Sequence, residues 1–378
     1  MSRKFTPFSP ALTQAYRDRD FFGQAWQQQR QQTLALIQDL PEANLRAQPH
    51  PLYSPVGWHL GHIGFTEALW LLNQPDHPAV SDRYRYWFAA DGRPKAERQQ
   101  LPARAELLGY LAEIRQEASD RLWGLSEAQW QQEARLWWWI LQHEAQHSET
   151  LQMVLAMQGC LNRYPAAVPE DAPPFIVPAG EYSLGSNDLL ALDNEQPSHR
   201  VWSTPFAIDS APVTWQQFLH FVKNGGYQRR EWWSAAGWQW RERHGITAPF
   251  YPMPATQLNV PVWGLSFYEA QAYGHSQGKR LPSEQEWEIA CQLGLPHTGL
   301  VWEWSQTLFA PYAGFQSYPY RGYSTPYFDG EHYVLKGGSA WTQPLLKRPA
   351  FRNWYLPSTR EVFAGARYIV PDALVSQV

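Results

Sequence analysis

The stretch that most constrains this chain runs over residues 137–149, from Trp137-Trp138-Trp139 through His143, Gln146 and His147 to Glu149. It lies in a run of good helix formers from about residue 127 to 161 that contains no proline. His143 and His147 are four apart, so on a helix of about 3.6 residues per turn they project from one face, one turn above the other. Two imidazoles so placed can hold one metal ion, and imidazole is the commonest metal ligand among side chains. The same spacing also suits a packed, hydrogen-bonded pair, so residues elsewhere have to decide between the two.

The first part of the chain reads as a helical bundle. Residues 11–40 repeat apolar side chains at helical spacing and stop before Pro41. Ser54-Pro55 predicts a capped start for a second helix over 56–72, ending before Pro75. A third helix is expected from Pro102 to about residue 125, and Ser126-Glu127 open the fourth, which carries the histidine pair. With one long loop, residues 73–101, an up-and-down arrangement of four helices is the natural packing. The second helix holds His59 and His62, with Gly61 between them where another backbone or helix can come close. His62 shares a face with Trp58 and Leu69. It is therefore the inward candidate that would complete a three-histidine set with His143 and His147. His59 is expected to be a helix-surface or hydrogen-bonded residue, and Glu149 a carboxylate supporting a ligand or a helix salt-bridge partner.

Residues 164–174 hold Pro165, Pro169, Pro173 and Pro174 without helical or strand patterning and predict a linker. Beyond it the texture changes to short segments broken by Gly, Pro and Asn. A hairpin pair of strands is expected over 175–185, and helices starting near Val213 and Ser266. The predicted organisation is thus α+β: a helical bundle over 1–163, a linker over 164–174, and a loop-rich domain over 175–378. A chain of 378 residues has room for two domains of ordinary size. Net charge is -4 and no basic run occurs, which argues against a nucleic-acid or membrane-surface partner. No stretch of about 18 apolar residues occurs and the start of the chain has no apolar core of a signal peptide, so a cytoplasmic protein is expected. The two cysteines, Cys160 and Cys291, are far apart and expected to pack as small buried hydrophobes. Aromatic residues make up 15% of the chain with 21 Trp, which suggests an aromatic-lined cavity or a large interdomain contact.

The second half carries an ordered string of motifs: Pro261-Val262-Trp263-Gly264-Leu265-Ser266, then Gly278-Lys279-Arg280-Leu281-Pro282-Ser283-Glu284 with Trp287-Glu288, then Val301-Trp302-Glu303-Trp304, Leu335-Lys336-Gly337-Gly338-Ser339-Ala340-Trp341 and Phe351-Arg352-Asn353-Trp354. In that order they resemble the formylglycine-generating-enzyme (sulfatase-modifying factor) fold, a loop-rich, C-type-lectin-like α+β domain. Those enzymes use a cysteine pair near the C-terminal end, and no cysteine follows Cys291 here. The resemblance therefore implies a scaffold reused for another site. The first half resembles the DinB-like four-helix bundle. The two in this order resemble the ergothioneine-biosynthesis sulfoxide synthases over nearly the whole chain, most specifically at residues 58–72, 143–150 and 318–323.

That resemblance implies non-heme Fe(II) held by His62, His143 and His147, with O2 and small molecules as partners. Three imidazoles suit Fe(II) and leave positions open. The implied reaction joins the imidazole C2 of hercynine (Nα-trimethylhistidine) to a thiol and oxidises the sulfur. Gln146 matches a glutamine that hydrogen-bonds the substrate imidazole, and Tyr320 a tyrosine that delivers a proton or hydrogen atom. Tyr323, Asn353 and Trp354 match residues around the betaine, whose quaternary ammonium an aromatic face can hold. In γ-glutamylcysteine-using members an aspartate follows the Asn-Trp pair, where this chain has Tyr355. Two arginines for the donor carboxylates become Lys95 and Arg98, losing one bidentate fork. Cysteine is therefore the expected donor. A selenosugar donor as in selenoneine synthases, γ-glutamylcysteine, histidine as acceptor (an ovothiol-type reaction), and a DinB-like metal-dependent thiol transferase remain as alternatives.

Overall fold

In a computed structural model the described residues are 14–72, 77–160, 164–170, 172–254 and 256–371. The chain separates into two compact units. The first takes residues 1–162 together with the short segment Asp188–Leu190, and the second takes the rest. Among the described residues, no helix is long and apolar enough to cross a membrane.

The first unit is built from α1 (Arg19–Ala35), a short α2 (Glu42–Arg46), α3 (Val56–Glu67), α4 (Asp82–Phe88), α5 (Arg104–Gly124) and α6 (Glu127–Met157). Ser126 and Gln129 form a reciprocal capping box at the start of α6, which satisfies two backbone N–H groups that a bare helix end would leave open. Ser54 does not cap α3 as the sequence suggested. Pro55 takes the cap position, and the Ser54 hydroxyl instead accepts a 2.9 Å hydrogen bond from Arg98. The expected loop over 73–101 contains α4, whose Phe88 is fully buried against α3. After Glu67 the helix continues as a π-helical turn over Ala68–Leu72.

Consecutive tryptophans on α6 point in different directions because successive helical residues are rotated by about 100°. Trp137 and Trp138 pack edge-on against Phe22, at 5.9 and 5.0 Å between ring centroids. Trp139 instead lies along His143, 5.5 Å away and tilted by 26°. At the polar centre of the bundle, four charges come from four helices, three of them buried and Arg115 half-buried. Arg30 (α1) contacts Glu67 (α3) at 2.9 Å and Glu144 (α6) at 2.8 Å. Arg115 (α5) reaches the same two carboxylates at 2.7 and 2.8 Å. Two cations against two anions leave no charge uncompensated in the core, which is the condition for burying them.

The second unit has a three-stranded sheet in the order β1 (Phe175–Val177), β4 (Phe206–Ile208), β9 (Ile369–Val370), and a pair β2 (Gly180–Leu184) with β3 (His199–Ser203). A four-stranded sheet follows the order β7 (Asn353–Tyr355), β6 (Tyr333–Lys336), β5 (Trp302–Leu308), β8 (Ala364–Gly365). The hairpin expected over 175–185 is not formed. Phe175 pairs with Ile208 and Gly180 with Ser203, so the two strands join different sheets, separated at Pro178, which has no N–H to donate to a ladder. Helices α7 (Trp215–Lys223), α8 (Ala235–His244), α9 (Phe267–Ser276) and α10 (Glu284–Gln292) complete the unit. Capping boxes start three of them, at Thr214, Ser266 and Ser283.

The motif residues of this half hold its core together. Glu284 pairs with Arg352 at 2.8 Å, Glu288 with Lys336 at 3.0 Å and Glu303 with Arg367 at 2.5 Å, all buried. Trp287 donates to Glu303 at 2.6 Å. Many of the bulky indoles pack into the core: Trp130, Trp215, Trp263, Trp302, Trp304 and Trp341 are among the fully buried side chains. One of the two cysteines differs from expectation. Cys160 is exposed, whereas Cys291, although half-buried, packs against the core as expected, with burial pushing its thiol up to about 12.

Candidate metal centre

α3 and α6 bring His62, His143 and His147 together, with a nitrogen from each within 4.8 Å of the others. Ring centroids are 5.1 Å apart for His62 and His143, 4.8 Å for His62 and His147, and 4.4 Å for His143 and His147. The last pair is one turn apart on α6, as the i, i+4 spacing requires.

The orientation of His62 is fixed from outside. Its Nδ1–H donates to the Phe88 carbonyl at 2.6 Å, since a carbonyl can only accept. That assigns the proton to Nδ1 and leaves Nε2 bare. The contact depends on Gly61, where a Cβ would meet the Phe88 ring at 2.1 Å. The other face of the His62 ring stacks on Trp58 at 4.7 Å and 10°, and the Arg98 guanidinium lies 3.9 Å over Trp58. His59 is buried rather than on the helix surface, and its Nδ1 lies 2.9 Å from Nδ1 of His147.

Electrostatics favour neutral rings throughout. Burial pushes His62 down to about 4, opposed by the Phe88 hydrogen bond and reinforced by the Arg98 charge. Burial, then His62 and His59, hold His143 well below its ordinary value. Burial, then His143, His62 and His59, do the same for His147. Burial and the charges around it bring His59 to about 3. Near pH 7 these imidazoles therefore present unprotonated lone pairs, the form that binds a metal. A three-nitrogen neutral donor set fits a divalent transition metal.

The other sequence candidates fall in two places. In the first unit, the Gln146 amide donates to the Gln142 carbonyl at 3.2 Å on the same turn as the ligand pair. Glu149 is buried. The Arg98 guanidinium is engaged by the Arg93 carbonyl at 3.0 Å, Ser54 at 2.9 Å and the Ala90 carbonyl at 2.6 Å. Lys95 reaches the Leu52 carbonyl at 2.8 Å and stays exposed. In the second unit, Tyr320 is 42% exposed, and its ring lies over Gly322, where a Cβ would come within 2.6 Å of it. Tyr323 meets Trp354 edge-on at 5.9 Å. Asn353 and Tyr355 share one face of β7 while Trp354 takes the other, by the two-residue period of a strand. Those three therefore do not line a single face.

Sequence reasoning offered a hydrogen-bonded place for His59 without naming its partner, and gave no role to Phe88 or the four-charge centre. Gly61 was the signal for Phe88, since a glycine beside a candidate ligand marks a close approach. The polar centre left no such signal, because Arg30, Glu67, Arg115 and Glu144 are ordinary helix formers whose burial depends on the partner helices.

The DinB superfamily model matches residues 25–151, and the sulfatase-modifying factor enzyme 1-like domain matches residues 165–298 and 292–371. The chain is 33% identical to a hercynine oxygenase from Mycobacterium tuberculosis, over 89% of this chain and 96% of that protein. It is 32% identical to a hercynine oxygenase from Mycolicibacterium smegmatis, with the same two coverages. Among solved structures, PvdO from Pseudomonas aeruginosa is 17% identical, with a TM-score of 0.37, over 55% of this chain and 98% of its own.

Proposed function

The chain belongs to the hercynine oxygenase family, and on that premise we propose that it is an Fe(II)-dependent enzyme that uses O2 to join the imidazole C2 of hercynine to a thiol, cysteine first, forming a sulfoxide. The observation that carries this reading is the set of three neutral imidazoles within 4.8 Å, in a chain that spans 96% of the similar M. tuberculosis enzyme. Iron, when bound, supplies the activation of O2 that an organic side chain cannot.

The protein's own groups do the rest by holding and orienting. His62, with Nδ1 tied to Phe88, offers Nε2, and His143 and His147 offer the other two positions. Gln146, half-buried on the same turn, would hydrogen-bond a substrate imidazole. Tyr320 supplies a phenol O–H, which can give up a proton where one is needed. Tyr323 and Trp354 offer aromatic faces to the trimethylammonium group, an attraction worth about 0.5–2 kcal/mol. Lys95, exposed and with one N–H given to the Leu52 carbonyl, is the more accessible cation for a donor carboxylate, because Arg98 is buried with three donors engaged internally. Tyr355 takes the place where an aspartate would select a glutamyl amine.

The test is anaerobic loading with Fe(II), then air with hercynine and cysteine, with products read by mass spectrometry. A hercynyl-cysteine sulfoxide is the expected product. Iron uptake without coupling to cysteine, γ-glutamylcysteine or a selenosugar would sink the proposal. His62→Ala should lose iron and turnover together, and Tyr320→Phe should keep iron and lose the sulfoxide.

A further inference from the structure

His59 is a fourth imidazole at this centre, and the proposed function gives it no task. It sits one helical turn before His62 on α3 and is 5% exposed, with its ring centroid 5.1 Å from that of His147. Its Nδ1 and the Nδ1 of His147 are 2.9 Å apart. Between two neutral imidazoles, such a contact needs one N–H donor and one bare nitrogen. The constraint on His147 decides which is which. Its Nδ1 is occupied by His59, so Nε2 is the nitrogen available to a metal. A neutral ring ligating through Nε2 carries its proton on Nδ1. His147 is then the donor and His59 the acceptor.

We infer that His59 is a positioning residue whose bare Nδ1 accepts the His147 Nδ1–H, holding His147 in the tautomer and ring angle that present Nε2 to a metal ion. The inference rests on the metal-site reading above. It gives His147 what Phe88 gives His62: an acceptor behind the ligand ring. For His62 a backbone carbonyl from α4 serves. On α6 the carbonyls near His147 are taken up by the helix itself, so the acceptor comes as a side chain from α3.

A packing role accounts for less. With Nδ1 bare, His59 carries its proton on Nε2, which is buried without a well-formed hydrogen bond, although the Ser54 backbone acts on the ring. An apolar ring would fill the same space without that cost, since a poorly bonded buried N–H is destabilising. A stability-only position at residue 59 would favour phenylalanine.

The test compares wild type, His59→Phe and His59→Asn. Anaerobic Fe(II) affinity is measured by competition with a chromophoric chelator. The visible spectrum of the Co(II)-loaded protein reports ligand geometry, and the metal-free melting temperature reports folding. His59→Phe should weaken metal binding by about 10–100-fold and change the Co(II) spectrum, with metal-free melting unchanged or raised. His59→Asn, whose amide oxygen can stand where Nδ1 stood, should recover most of the affinity. Wild-type affinity in His59→Phe, or equal losses in both variants, overturns the positioning role. A wild-type chain that takes up neither Fe(II) nor Co(II) overturns the metal-site reading itself and this inference with it. The first outcome removes only His59, so the two failures are distinguishable.

Discussion

Gly61 shows how a single missing side chain shapes the centre. The Phe88 ring lies where its Cβ would be, and the Phe88 carbonyl holds His62. Phe88 is fully buried, so it has no free space to retreat into. Gly61→Ala should therefore destabilise the fold by about 1–3 kcal/mol, the usual cost of overpacking, and weaken metal binding by moving the carbonyl. Equilibrium denaturation and chelator competition on the same variant check both parts. The imidazoles also set a pH dependence. An unfolded histidine has a pKa near 6.5, whereas burial brings His62 to about 4 in the folded chain. Between those values the unfolded state binds more protons. Stability of the metal-free protein should then be fully present above about pH 6.5 and fall as pH drops toward 4, because folding must displace protons there. Thermal melts of the metal-free protein at pH 7.5, 6 and 5 measure it, and a flat profile would argue against buried neutral rings.

At the scale of elements, the four-charge centre fixes how the helices are rotated about their own axes. One charge comes from each of α1, α3, α5 and α6, and Glu144 directly follows His143 on α6. A turn of α6 that moved His143 away from His62 would also pull Glu144 from both arginines. Glu67→Ala should accordingly cost about 3–5 kcal/mol, the range for breaking a buried pair and leaving a cation uncompensated. Chemical denaturation reads this directly. A loss below 1 kcal/mol would mean that water reaches the centre and replaces the carboxylate. The fate of the expected 175–185 hairpin makes a related point. Both strands form, yet long-range pairing with residues 199–208 outcompetes the local turn, because Pro178 interrupts the ladder between them.

Across the whole molecule, each unit has its own buried core, and all three candidate ligands belong to the helical one. A bound metal stabilises the state that binds it, by about 2.7 kcal/mol at 100 times Kd. Loading with Fe(II) should raise the melting temperature of the helical signal and chelation should lower it; an insensitive melt would count against a metal in the bundle. The sequence by itself determined the four long helices of the bundle, the shared face of His143 and His147, His62 as their partner, and the motif order of the second half. Those features depend on short-range periodicity or on local strings that survive as residue identity. The tertiary structure alone decided that Phe88 holds His62 from 26 residues away and that His59 meets His147 across 88. It likewise decided that Ser54 serves Arg98 instead of capping a helix. These are contacts between distant segments, set by how the helices pack, and no periodicity in the chain encodes which distant groups will meet.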